Sequence, residues 1–105
     1  PYCDICVIGF TSQQEILTKA AANEVITKLK NATESKYKDE KIIVLGPVPA
    51  RVSRIGGKFR YRIIIKCKNT KSFRNMTSEI LKDMGNDKRF RAVTVYADIN
   101  PDSML

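Results

Sequence analysis

The stretch Ile55-Gly56-Gly57-Lys58-Phe59-Arg60-Tyr61-Arg62-Ile63-Ile64-Ile65-Lys66-Cys67 decides the fold. A Gly-Gly pair between two strand-like runs, Arg51–Ile55 and Lys58–Lys68, predicts a β-hairpin closed by a two-residue turn. Successive strand residues point to opposite faces, so Phe59, Tyr61, Ile63, Ile65 and Cys67 share one side. Arg60, Arg62, Ile64, Lys66 and Lys68 share the other. Two-residue hairpin geometry sets Ile55 opposite Lys58, Ser53 opposite Arg60 and Arg51 opposite Arg62, with Val52 meeting Tyr61 in the core. Directly opposed like charges destabilise a sheet, so an Arg51/Arg62 pairing calls for something negative above it.

Working outward, Cys3–Phe10 (CDICVIGF) is a β-branched, mostly apolar run of strand length and suits a central strand. Ser12-Gln13-Gln14-Glu15 reads as a capping box opening a helix to about Lys30. Leu17, Ala21, Ala22, Val25, Ile26 and Leu29 fall on one face of that helix. The polar segment 31–40 is expected as an exposed loop. Lys41–Leu45 is a second strand, ended or bent by Gly46-Pro47-Val48-Pro49, which places it at a sheet edge or a bulge. Downstream, Asn69 or Thr70 caps a second helix with Phe73, Met76, Ile80, Leu81 and Met84 in a stripe and Gly85 just past its end. Phe90–Ile99 supplies the last strand, with Val93, Val95, Ala97 and Ile99 inward. The order β-α-β-β-α-β predicts an α+β, ferredoxin-like sandwich: a four-stranded antiparallel sheet, two helices on one face, strands one and three central. The opposite face is left open to solvent or a partner.

The 105 residues suffice for a single domain, and Pro1 reads as a fragment boundary. No apolar run approaches bilayer length, so no membrane partner is expected. Three cysteines, Cys3, Cys6 and Cys67, are an odd set and point to a reducing cytoplasm. The net charge of +8 is not spread evenly, because no acidic residue occurs between Lys41 and Ser78. That block holds Lys41, Arg51, Arg54, Lys58, Arg60, Arg62, Lys66, Lys68, Lys71 and Arg74. Its concentration on a hairpin suggests a polyanionic or acidic partner, the plain alternative being a solvated basic face. Arg51, Arg54, Lys58, Arg60, Arg62 and Lys66 are the candidate nucleic-acid contacts, with Thr94, Tyr96 and Asp98 flanking them. Arginine suits phosphate because its planar fork donates two parallel hydrogen bonds. No RNP-type aromatic motif occurs, so base stacking of that kind is not expected.

Catalytic chemistry finds few parts. The chain has no histidine, hence no Ser-His or Cys-His dyad. Cys3-x-x-Cys6 lacks the further ligands zinc requires, and strand residues three apart point to opposite faces. Gly56-Gly57 lacks the Lys and Ser/Thr of a phosphate-binding loop. No catalytic or metal site is expected, and no cofactor in this chain.

Four segments, in order, resemble the C-terminal domain of the primosomal replication-restart helicase PriA (primosomal protein N′). Pro1-Tyr2-Cys3-Asp4-Ile5 resembles its Pro-Pro-aromatic entry, and Leu45-Gly46-Pro47-Val48-Pro49-Ala50 its Gly-Pro-x-Pro-Ala bend. Ile55–Ile63 is similar to its hairpin, where an aromatic-Arg-aromatic triplet precedes an aliphatic strand. Asp98-Ile99-Asn100-Pro101-Asp102-Ser103-Met104-Leu105 is close to its Asp-x-Asp-Pro terminus, with Asn100 in place of the second aspartate. The resemblance implies that residues 1–105 form one C-terminal module of an ATP-dependent, 3′-to-5′ DNA helicase that recognises stalled forks and starts primosome assembly. ATP, magnesium and zinc are then expected in other parts of the full-length protein. The implied partners are branched or single-stranded DNA, the helicase core, single-stranded DNA-binding protein and other primosome proteins, in the bacterial cytoplasm at the nucleoid. Lys71 and Arg74 are candidate partner contacts. Two further readings stay open: a docking module without direct DNA binding, and a free-standing ribosomal or RNA-binding ferredoxin-like protein.

Overall fold

The computed structural model describes residues 4–102, except the side chains of residues 51–55. It has the expected order: β1 (Asp4–Ser12), α1 (Glu15–Thr33), β2 (Ile43–Ile55), β3 (Lys58–Cys67), α2 (Lys71–Asn86), a short 3₁₀ turn (Lys88–Phe90) and β4 (Thr94–Ile99). The antiparallel sheet runs β2-β3-β1-β4, so β1 and β3 are central and β2 is an edge. Each β-α-β half sends its chain over the same face, and both helices share one core beneath the sheet.

That core follows from the strand period. Cys6, Ile8 and Phe10 of β1 and Tyr61, Ile63, Ile65 and Cys67 of β3 point toward the helices and are buried. Ala21, Ala22, Val25 and Leu29 of α1 and Phe73, Met76, Ile80 and Met84 of α2 close over them. Phe10, Ile8 and Ile63 are fully enclosed, and burying each such side chain contributes about 1.5–3 kcal/mol.

The turn between β2 and β3 is of type I′ character, with φ +56° at Gly56 and +78° at Gly57. Two consecutive positive φ values match the twist of the flanking strands and favour glycine at both positions. Ile55 lies opposite Lys58 as expected. Arg54 opposite Phe59 keeps that register, and the expected pairing fails beyond it. Val48, not Arg51, lies opposite Arg62, and Pro49, not Val52, lies opposite Tyr61. Register shifts between Leu45 and Val48 and between Pro49 and Arg54 insert extra β2 residues, which also removes the Ser53/Arg60 pairing. Proline has no N–H to give the ladder, so β2 bulges at its Pro-rich bend while remaining a single strand.

Three helix boundaries differ from expectation. The capping box does not form: Gln14 is the cap residue of α1 and no side chain caps it. Ser12 instead accepts from the Gln14 N–H (3.0 Å) and bonds Thr18 Oγ1 (2.8 Å), so its hydroxyl is spent on the β1–α1 turn. Glu15 accepts from the Tyr61 hydroxyl (2.7 Å), and this bond chiefly raises the tyrosine pKa. α1 continues past Lys30 to Thr33, and Tyr37 beyond it packs half-buried on the core and donates to Glu79. That bond, then Lys36, holds Glu79 below the ordinary carboxylate range. Thr70 caps α2 by accepting from the Phe73 N–H (2.9 Å). α2 runs through Gly85 to Asn86, where Asp87 serves as cap and also accepts from Arg89 N–H (3.0 Å).

Asn100 accounts for its own departure from the Asp-x-Asp pattern. At φ +51°, a value asparagine tolerates, it accepts from the Ile5 N–H through Oδ1 (2.9 Å) and donates through Nδ2 to Asp4 Oδ1 (3.0 Å). Asp4 also receives the Asn69 N–H (2.8 Å), joining the start of β1 to the loop before α2. A carboxylate at position 100 would face Asp4 with no donor. Asn100→Asp is therefore expected to lower stability by about 1 kcal/mol, or about 4–8 °C in Tm for a domain of this size. Adding Asp4→Asn should recover at least half of the loss in thermal unfolding.

Candidate nucleic-acid interface

The side of the sheet away from the helices is a grid whose rows follow from the strand registers. One row is Ile43, Lys66, Ile5; the next is Leu45, Ile64, Val7, Asp98; the next is Val48, Arg62, Gly9, Tyr96. Arg60, Thr11 and Thr94 form a further row. Lys58 begins β3 at the turn and lines a shallow polar cleft with Thr11, Gln13, Gln14 and Thr94. Of the residues expected to contact nucleic acid, Lys58, Arg60, Arg62 and Lys66 thus share one face of β3. Alternate strand residues repeat about every 6.8 Å, so these cations form a ladder along a central strand.

The backbone of Arg51 and Arg54 lies in β2, with Arg54 opposite Phe59; their side chains lie outside the described residues. Lys71 and Arg74 lie elsewhere. Both are exposed on the first turns of α2, in the helical layer, and Arg74 Nη1 donates to Asn69 Oδ1 (2.9 Å). The structure therefore does not unite them with the β3 ladder.

Among the described residues, the ion pairs join Lys28 to Glu24 (3.7 Å), Lys36 to Glu79 (3.2 Å), and Arg89 to Asp87 (2.7 Å) and Glu24 (3.4 Å). None involves β3. In water, two like charges about 6.8 Å apart repel by about 0.6 kcal/mol, less once salt screens them. Exposed Lys58 and Lys66 carry that cost easily. Arg62 is different: its Nε and Nη1 are buried without a hydrogen-bond acceptor among the described residues. A buried unsatisfied polar group costs about 1–3 kcal/mol and a charged one more. Those two nitrogens are covered, so an anion at this row would satisfy them only if the Arg62 side chain swung outward.

Gly9 is the residue that sequence reasoning missed. An ideal Cβ there would lie 2.3 Å from Tyr96 Cε1 and Cζ and 2.6 Å from its Oη. The Tyr96 ring thus fills the space above β1 that any larger residue would claim. The available signal was a single glycine inside the β-branched run CVIGF. Also missed were the exposed apolar residues of the edge strand, Ile43 (41%), Leu45 (44%) and Val48 (37%), because the Pro-rich bend hides the alternation of β2.

Cys6 and Cys67 are buried under the helices, and burial, followed by the neighbouring Cys67, pushes the Cys6 thiol up to about 12. Cys3 lies outside the described residues. Among those residues, no group of three His, Cys, Asp or Glu side chains gathers as a metal ligand set, and no helix is long and apolar enough to cross a membrane.

The Gly9–Tyr96 contact yields a direct test. Gly9→Ala should destabilise the domain by about 1–3 kcal/mol through overpacking. In a Tyr96→Ser background, chemical denaturation should show most of that penalty gone.

Solved structures support the fold. A de novo designed protein, Foldit4, superposes with a TM-score of 0.61 at 13% identity, covering 95% of this chain and 98% of its own. Protein SP2199 from Streptococcus pneumoniae superposes with a TM-score of 0.51 at 13% identity, covering 96% of this chain and 89% of its own. At such identity the likeness concerns the fold alone. No curated protein matches the sequence. A family model described as the primosomal protein N C-terminal domain matches residues 1–102, which is nearly the whole chain. The chain belongs to the primosomal protein N C-terminal domain family.

Proposed function

We propose that this domain binds DNA through the open face of its sheet, as the C-terminal module of a replication-restart helicase. Family membership ties the chain to primosomal replication restart, which favours this reading over a free-standing RNA-binding protein. The observation that carries the DNA contact is the β3 ladder of Lys58, Arg60, Arg62 and Lys66, which has no ion-pair partner among the described residues. The side chains of Arg51 and Arg54 lie outside the described residues, and Arg54 is paired with Phe59, not with a residue of the ladder, so neither arginine supports this reading.

In this reading the residues position a phosphate backbone and do no covalent chemistry. Phosphate contacts set orientation without reading sequence, which suits a protein that recognises stalled or branched forks by shape. Unwinding from 3′ to 5′, with its ATP and magnesium, and the zinc site belong to other parts of the full-length protein. The bacterial cytoplasm at the nucleoid is the setting proposed.

A second reading rests on a separate observation. Ile43, Leu45 and Val48 expose apolar surface along the β2 edge beside the cations, a mixture that suits protein as well as DNA. The edge would then pack on the helicase lobes, while Lys71 and Arg74 on α2 meet an acidic partner such as the tail of single-stranded DNA-binding protein.

Salt titration separates the two readings. Replacing Lys58, Arg60 and Lys66 by Ala together should weaken binding to a forked oligonucleotide. It should also make the slope of log K against log salt shallower by about 2–3, because each lost phosphate contact removes about 0.7–0.9. Melting temperature should change little. Unaltered affinity and slope in that variant would remove the DNA role of this face and leave the docking role.

A further inference from the structure

The row Arg62–Gly9–Tyr96 holds more than charge. Tyr96 is 42% exposed, although most aromatic side chains of this domain lie in the helix-covered core. Its ring does not stand away from the sheet. With Cε1, Cζ and Oη all within 2.6 Å of where a Gly9 Cβ would be, it lies across β1 in the direction of Arg62. Such a ring rests on backbone and leaves its outer side to solvent. The neighbouring row adds Thr11 and Thr94, which are small and raise no wall around it. Only a glycine at position 9 permits this placement, and glycine in a central strand otherwise costs about 0.5–1 kcal/mol.

We propose that Tyr96 is a stacking platform for one unpaired base of a single-stranded nucleic acid, with Arg62 and Arg60 taking the flanking phosphates. The proposal rests on the nucleic-acid reading of this face and deepens it by naming the ligand as unpaired strand. An aromatic face accepts any base, since every base has a π-face, so the platform confers a preference for single strands without a sequence preference. In a duplex the bases are already stacked on one another and are out of reach of a ring lying on a sheet. The charge complement comes from the β3 ladder, which has no carboxylate partner among the described residues. Arg62 stands two strands from Tyr96 in the same row, about 10 Å at the usual strand spacing.

The test compares an oligothymidylate with an abasic phosphodiester oligomer of equal length and charge, measured by fluorescence anisotropy at low salt. The unaltered domain is expected to bind oligothymidylate about tenfold more tightly than the abasic oligomer. Tyr96→Leu should bring oligothymidylate down to the abasic level without changing abasic affinity, while Tyr96→Phe keeps the preference. Equal affinity for the two oligomers in the unaltered domain overturns the platform and needs no variant, so a folding defect cannot obscure it. An unchanged preference in a folded Tyr96→Leu domain overturns it too. Either result leaves the electrostatic reading intact if binding remains salt-dependent. Failure to bind either oligomer overturns both.

Discussion

The arrangement depends on one constraint, the two-sidedness of β3. Tyr61, Ile63, Ile65 and Cys67 enter the core, so Lys58, Arg60, Arg62 and Lys66 must emerge on the other side. A slip of one residue would drive two arginines and two lysines into the hydrophobic layer and expose the isoleucines. The register that secures the core therefore also builds the ladder, and the position between β1 and β2 holds it rigid. No separate device is needed to gather the charges.

The same face shows two departures from what stability alone would select. Arg62 buries two nitrogens without an acceptor among the described residues, and Gly9 gives up a side chain in the centre of a strand so that Tyr96 can lie down. They occur in one row, side by side. Natural sequences give up local optimality most often where a ligand compensates. That coincidence in one row is what supports the proposal of a partner on the open sheet face.

Much of this was legible in the residues. The strict alternation of Lys58–Cys67 and the Gly-Gly turn were enough to predict the hairpin, its two faces and the central position of β3. The apolar stripes of both helices were equally plain. What could not be read was pairing at a distance. Opposing Arg51 to Arg62 assumed a regular ladder, whereas the bend at Pro47 and Pro49 shifts β2 and sets Val48 there instead. Ser12 and Glu15 fit a capping motif by spacing, yet Thr18 and Tyr61 compete for their oxygens in the folded chain. Gly85 looked like a helix stop, but Asp87 carries the cap two residues later. Lys71 and Arg74 belong to the same charge block as the ladder and still end in the other layer. The Gly9–Tyr96 contact joins residues 87 positions apart, and neither residue signals it alone.

The most direct measurement of the central claim is a nuclear magnetic resonance titration of the labelled domain with a single-stranded oligonucleotide. The side-chain Nε–H resonances of Arg60 and Arg62 and the ring resonances of Tyr96 should shift together and saturate at one common affinity. Shifts confined to α2, at Lys71 and Arg74, with those three residues unmoved, would contradict the account.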